Sequence, residues 1–385
     1  MLEYLSERGK KWVRTLPPLV KAHFDNFYNM YDKDTNPGGL INMGTAESHL
    51  VNREVCDLLR KAADRMDLTG YNLHYNKFEG SDEFRSAIAA HWQKVIFGAD
   101  SDVVLTKDNV ATCAGCTVAL ETLATLLAEP GDVFLIPAPY YSSFVDDINE
   151  RAGVIAVGVP CDETLDRNAF EAAYERVTAE GRRVRAVLFS SPNNPIGIVY
   201  KEDAIRHVID FAMAHDLEII SDEIYAQTVF DPEAHYVSTL KLVPAGYRHR
   251  VHVTSSFAKD FVLSGFRTGM LLLLQPRHHS GLRLHHLLLL CLLPYPVPAE
   301  GVAAVPGAGG RYGSVPPTAQ DRLRDHDQGP CGHRRAHHEG TGRHLHHGRL
   351  LRLHGQAGVC RGACAVAEDL QRPDDQRVPR PAVRL

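Results

Sequence analysis

The chain has 385 residues, with 42 basic and 47 acidic side chains and a net charge of −5. That length suits two or three packed units around a large buried core and excludes a small stapled scaffold. No global positive field calls for nucleic acid or a membrane surface, so a small-molecule partner is the expectation.

The opening MLEYLSERGKKWVRTLPPLV mixes charged and apolar residues and lacks the apolar core of a secretory signal, so no targeting segment is expected. Residues 81–96 place Phe84, Ile88, Trp92 and Ile96 four apart behind Ser81, which predicts a capped amphipathic helix. Buried strands are predicted at Val110–Cys113, Asp132–Pro137, Val154–Val159, Val184–Phe189, Glu218–Ser221 and Val251–Ser255. Between two of them, Asn168–Ala179 reads as a crossover helix that stops at Gly181. Strand, helix and strand in alternation predict an α/β fold with a mostly parallel central sheet covered on both faces. Ligands of such sheets bind at the carboxyl ends of the strands.

Past residue 270 the composition changes in kind. The first 270 residues hold all 11 Lys, all 14 Phe and both Trp, with 27 basic against 38 acidic residues. The last 115 lack Lys, Phe, Ile, Asn, Met and Trp, and carry 15 Arg and 12 His. The absent residues are mostly those with A/T-rich codons, which predicts a reading-frame slip in a GC-rich gene between Gly269 and Gln275. A basic low-complexity extension or a His-rich metal tail are the alternatives. The tail clusters His337-His338-Glu339 and His344-Leu345-His346-His347 sit without periodic apolar pattern, so nothing would fix ligand geometry and no metal is assigned. The longest apolar run there, Leu287 to Leu293, is far short of the roughly 20 residues that cross a bilayer. Eight cysteines in the chain are too few for a disulfide framework and point to reduced thiols in a cytoplasmic setting.

Several loops after the predicted strands carry competent side chains. Cys113-Ala-Gly-Cys-Thr117 is a small-residue turn at a helix start, suited to a phosphate or equally to an ordinary βα turn. Pro137-Ala-Pro-Tyr-Tyr141 offers an aromatic ring to a planar ligand, and Ser190–Gly197 leaves Asn194 to present an amide between prolines. In Ile219–Tyr225 an apolar strand runs into Asp222 and Glu223, carboxylates that are costly to bury unless donors or a cation meet them. Ser255-Ser-Phe-Ala-Lys-Asp260, followed by Gly265-Phe-Arg267, places Lys259 in surroundings that favour a neutral, nucleophilic amine.

Order and spacing of this set across residues 40–270 resemble the fold type I, class I/II aminotransferases that use pyridoxal 5′-phosphate. The resemblance implies that Lys259 is the Schiff-base lysine and that Arg267, Ser256, Gly115, Cys116 and Thr117 hold the phosphate. Asp222 would pair with the ring nitrogen, Asn194 and Tyr225 would bond the 3-oxygen, and Tyr140 would stack on the ring. Tyr75 would serve the phosphate of a neighbouring subunit in a homodimer. The segments INMGTAESHL, FLIPAPYYSSF and SSFAKDFVLSGFR are most similar to 1-aminocyclopropane-1-carboxylate synthases and related bacterial aminotransferases, and Glu47 falls at their substrate-side glutamate. Ala258 and Phe78 depart from the serine common in the family and the tyrosine usual in the synthases. Transfer of an amino group between an amino acid and a 2-oxo acid is therefore expected ahead of synthase-like lyase chemistry on S-adenosylmethionine; a catalytically dead protein of this fold is the further alternative. By the same resemblance residues 1–40 form an N-terminal arm and part of a small domain, 41–270 the cofactor domain, and 271–385 stand where the rest of a small α/β domain belongs. No segment after Gly269 is seen to match the family, and no arginine is assigned to the substrate carboxylate.

Overall fold

The computed structural model describes residues 3–12, 18–66, 74, 75 and 77–274. Helices α1 (Glu7–Trp12), α2 (Pro18–Asp25), α3 (Asn52–Asp64) and α4 (Asp82–Trp92) precede the sheet. There follow β1 (Val110–Cys113), α5 (Cys116–Leu127), β2 (Val133–Ala138), α6 (Phe144–Asn149), β3 (Ile155–Pro160), α7 (Arg167–Ala179) and β4 (Val184–Ser190). The order closes with α8 (Glu202–Ala214), β5 (Glu218–Asp222), α9 (Thr239–Leu242), β6 (Val251–Ser256), the single turn α10 (Phe257–Asp260) and β7 (Gly269–Leu273).

The helix signals act as their residues dictate. Ser81 Oγ accepts the Phe84 N–H at 3.2 Å and starts α4, a cap worth about 1 kcal/mol. Phe84, Ile88 and Trp92 are buried along one stripe. The predicted run to Ile96 continues as a wider π turn, Gln93–Phe97, which ends at Gly98 in a positive-φ conformation. Helix α7 begins one residue earlier than predicted, because Asp166 accepts the Asn168 N–H at 3.1 Å, and it stops before Gly181 at φ +76°.

The strands form one sheet in the order β1-β7-β6-β5-β4-β2-β3. Pairs β2/β3, β2/β4, β4/β5 and β5/β6 are parallel, and β7 runs antiparallel between β6 and β1. Alternation along each strand feeds two cores. Val133 and Leu135 join α4, α7 and α8, while Phe134 and Ile136 face the other way with α5 and α6. Each such side chain, fully buried, contributes roughly 1.5–3 kcal/mol.

β7 has no counterpart among the predicted strands, and the composition boundary at residue 270 falls inside it. Leu271, Leu272 and Leu273 are buried; the first two pair with both neighbouring strands and Leu273 with β6. Composition cannot resolve three leucines, a residue type common to both sides of the break. The His clusters and the other tail readings lie outside the described residues. No helix among the described residues is long and apolar enough to cross a membrane.

Candidate active site

The carboxyl ends of β1, β5 and β6 and the start of β7 meet at one edge of the sheet. Gly269 pairs with Cys113 on one side and with Ser256 on the other. A Cβ on Gly269 would lie 2.7 Å from the Gly115 backbone, so only glycine lets β7 approach this closely. Gly115 caps α5 at φ +92°, and a Cβ there would stand 2.8 Å from Arg267 Nη2. The Arg267 guanidinium thus lies against the start of a twelve-residue helix, whose first N–H groups lack intrahelical partners. Arg267 has a left-handed backbone, φ +51°, and donates from Nη1 to the Ser264 carbonyl at 3.1 Å. Ser256 Oγ accepts the Ala258 N–H at 3.1 Å, which starts the turn carrying Lys259. Positive charge, free N–H groups and hydroxyls converging in this way make an anion cradle.

Asp222 ends β5 and is only 5% exposed. Thr254 Oγ1 donates to its Oδ1 at 3.1 Å, and the Cys116 thiol and Ile224 N–H also bond it. Burial outweighs these donors and pushes its pKa up to about 7. The same burial, with the Asp222 charge beside it, raises the Cys116 thiol well above its usual range. Its neighbour Glu223 is fully buried and plays a different part. It accepts from the Ser221, Tyr236 and Ser238 hydroxyls and the Thr239 N–H, so its bonds bind β5 to the 236–239 segment and hold it away from the cradle.

On the far side of Asp222, Asn194 Nδ2 donates to the Tyr225 hydroxyl at 3.3 Å. Burial and the Asp222 charge push the phenol up to about 12. Tyr140 is half-buried against the α5–α6 core. Lys259 Nζ donates to the Ala46 carbonyl at 2.7 Å. Burial holds this amine below its ordinary pKa, with Arg267 acting in the same direction and Glu47 opposing. Ser264 Oγ donates to Glu47 Oε1 at 2.7 Å, so residues 46 and 47 form a strap over the lysine.

The structure therefore brings Gly115, Cys116, Asn194, Asp222, Tyr225, Ser256, Lys259 and Arg267 to one strand edge, with Glu47 above them. Thr117 sits on the first turn of α5, where it donates to Asp147. Tyr75 stands apart from this group and is 99% exposed. Two groups in the site escaped the sequence. Thr254 lies inside a β6 run that reads as plain buried strand. Asp147 lies in Phe-Val-Asp-Asp-Ile-Asn, which reads as the polar side of a surface helix, yet burial and the nearby Asp222 raise its pKa to about 7.

The family described as aminotransferase class I and II matches residues 39–304, well over half of the chain. The chain belongs to that family. The match runs past residue 270 into the Arg- and His-rich stretch, beyond the Gly269 limit expected from the motifs. Among curated relatives, 1-aminocyclopropane-1-carboxylate synthase 3 of Oryza sativa subsp. japonica is 35% identical over 259 residues, covering 62% of this chain and 56% of that protein. The corresponding synthase of Nicotiana tabacum is 31% identical over 268 residues, covering 64% and 54%. This chain thus spans about half the length of the curated relatives it matches. Two solved structures share the fold at 20% identity: aspartate aminotransferase from Thermus thermophilus with maleate (TM-score 0.60, covering 78% of this chain and 71% of that one) and an archaeal alanine:glyoxylate aminotransferase (TM-score 0.62, 78% and 69%).

Pyridoxal 5′-phosphate is the cofactor of the class I and II aminotransferase family, and the residues present fit it. The cradle at Gly115 is open only because the Cβ is missing, and it faces a guanidinium, which suits a phosphate. Asp222 is a buried carboxyl bonded by a hydroxyl, a thiol and an N–H, with no cation among those partners, which suits a protonated ring nitrogen.

Proposed function

We propose that the chain transfers an amino group between an amino acid and a 2-oxo acid, with pyridoxal phosphate carried on Lys259. The observation that carries the reading is the Lys259 amine, half-buried, held below its ordinary pKa, and set among Glu47, Arg267 and Asp222. An amine must be neutral to attack a carbonyl carbon or to accept a proton, and burial supplies that state.

Bound pyridoxal phosphate supplies an electrophilic carbon and a ring that takes up the electron pair left when a substrate Cα loses its proton. The chain's residues do the rest. Arg267, Ser256 and the N–H groups at Cys116 and Thr117 bind the phosphate, while Gly115, whose own N–H is spent on the Cys113 carbonyl, keeps the approach open. Asp222 holds a proton at the ring nitrogen through a charge-assisted bond worth roughly 1.5–3 kcal/mol. Asn194 and Tyr225, already bonded to each other, orient the ring through its 3-oxygen, and Tyr140 covers a ring face. Lys259 Nζ, once free, would take the proton from the substrate Cα as general base and deliver it as general acid to the cofactor carbon C4′. Glu47 stands on the substrate side, and Tyr75 serves a second subunit's phosphate in a homodimer.

A second reading has a specific observation behind it. The synthases are matched at 31–35% identity, and Glu47 is tied beside the lysine by Ser264, so a lyase acting on S-adenosylmethionine is nearly as well supported. Phe78, which has no hydroxyl to offer a substrate, tips the balance toward transfer. For the tail we propose the reading-frame slip, against which the family match as far as residue 304 counts, with 1–40 as arm, 41–270 as cofactor domain with β7 completing its sheet to Leu273, and a cytoplasmic setting.

Borohydride reduction followed by peptide mapping is expected to find the cofactor on Lys259. In a separate, unreduced sample an added amino acid should yield its 2-oxo acid; release of methylthioadenosine from S-adenosylmethionine would establish the lyase instead. A full-length protein that binds the cofactor and performs neither reaction would be the dead form. Sequencing the DNA of codons 265–280 tests the slip: an unbroken frame with no better alternative downstream refutes it.

A further inference from the structure

We propose that Asp260 is a positioning residue of this site, whose buried carboxyl ties the turn bearing Lys259 to the turn bearing Tyr225 through Gln227. The proposal rests on the reading of Lys259 and Tyr225 as cofactor ligands.

Asp260 follows Lys259 directly, closes α10 and is 6% exposed. Its Oδ1 accepts the Gln227 backbone N–H at 3.2 Å, and its Oδ2 accepts from Gln227 Nε2, also at 3.2 Å. Gln227 is 3% exposed and lies two residues beyond Tyr225. The turn between them is closed by the Thr228 N–H and Oγ1, which both donate to the Tyr225 carbonyl, at 3.0 and 2.9 Å. On its outer side Gln227 Oε1 meets His91 Nε2 at 2.9 Å. The His91 ring is itself held against Phe261, with centroids 5.3 Å apart. A continuous chain of hydrogen bonds therefore runs from α4, through Gln227, to the residue beside Lys259.

The groups facing this carboxyl explain why it acts by geometry. Its hydrogen bonds both come from Gln227, burial raises its pKa well above the usual range, and the Tyr236 phenol is close enough to feel its charge. A buried acid met only by amides costs stability that an apolar residue would not. In return, two acceptor atoms gripping one glutamine fix both the distance and the rotation of the two turns. The Lys259 amine bonds Ala46 instead, so the effect of Asp260 passes through the backbone.

The test loads the full-length protein with pyridoxal phosphate and compares wild type with Asp260→Ala, Asp260→Asn and Gln227→Leu. The measurements are the pH titration of the bound chromophore's absorption, retention of the cofactor on dilution, and thermal melting. Asp260→Ala and Gln227→Leu are expected to move the titration midpoint by about half a pH unit or more and to weaken retention about tenfold. Asparagine keeps an acceptor for the Gln227 N–H, and a rotated Gln227 amide can accept from the new Nδ2 while donating to a neutral His91. Asp260→Asn should therefore restore the midpoint to within about 0.2 unit of wild type. Where Asp260→Ala does not fold, Gln227→Leu and Asp260→Asn carry the same comparison. Lowered melting with an unchanged midpoint in a normally loading protein means Asp260 only packs, and overturns the proposal alone. A wild type that takes up no chromophore overturns the underlying reading and the proposal together.

Discussion

The edge where the strands end and the stretch from residue 20 to 80 are built on different terms. Along the edge, Asp222, Ser256 and Gly269 are locked by ladder hydrogen bonds and are almost fully buried. Across the other stretch, Tyr28 is 96% exposed, Met43 72%, Leu50 76% and Tyr75 99%. One region carries its own support, whereas the other presents apolar side chains that need a second surface. The difference teaches that most of the groups expected around a phosphate and a ring sit on a packed strand edge, while Tyr75 and the substrate side, where Glu47 is the single expected contact, lie on an exposed one.

Four variants probe that contrast, beginning with the largest effect. Lys259→Ala should abolish borohydride-trapped cofactor and slow turnover roughly 10²–10⁴-fold, the range for losing a general acid-base group. The melting curve of the cofactor-free protein should hardly move, because the Lys259 bond to Ala46 sits at the surface of the strap.

Asp222→Asn should come next, lowering affinity for the ring about tenfold or more, read by equilibrium dialysis against pyridoxal phosphate. It also carries a pH signature in the cofactor-free chain. The folded pKa of Asp222, about 7, lies above its ordinary value of 3.8. Between those values the folded chain keeps a proton that the unfolded chain has released. Stability from this group is thus complete below the unfolded pKa and is lost as pH rises through about 7. Melting at pH 5 and pH 8 should show the wild type less stable at the higher pH, and Asp222→Asn should flatten that slope. An unchanged slope would assign it to Asp147 and the other buried acids.

Gly115→Ala should have a moderate effect. It forces a side chain into φ +92° and against Arg267, a strain of about 1–3 kcal/mol, which phosphate affinity and melting should both register. Tyr75→Phe is the mildest test on the folded chain, because an exposed side chain changes stability by less than about 0.5 kcal/mol. If Tyr75 serves a second subunit, cofactor affinity should nonetheless fall, and the loss should depend on protein concentration. Equal affinity at every concentration would remove Tyr75 from the site.

Much of the cofactor edge was legible in the sequence because it is assembled from short segments that each follow a buried strand. Six of the seven strands fall within one or two residues of their apolar runs. β7 escaped because Gly-Met-Leu-Leu-Leu straddles the change in composition, and a strand that turns back antiparallel has no long crossover helix to announce it. Thr254 and Asp147 were invisible for another reason: their importance comes from Asp222, more than thirty residues from the first and seventy-five from the second. The sequence attaches no role to Asp260, and only the fold reveals that Gln227 closes over it with His91 behind Gln227. Pairings across that much chain are set by tertiary packing, which local pattern does not encode.

The contact between Gly115 and Gly269 bears on how the chain is made. The two residues are separated by some 150 positions, with β2 through β6 lying between them in sequence. Contacts of such separation form late, after the intervening strands have closed their loops. A nascent polypeptide that has not yet released residue 269 from the ribosome possesses only half of its anion cradle. Completion of the cradle thus waits for the arrival of one antiparallel strand.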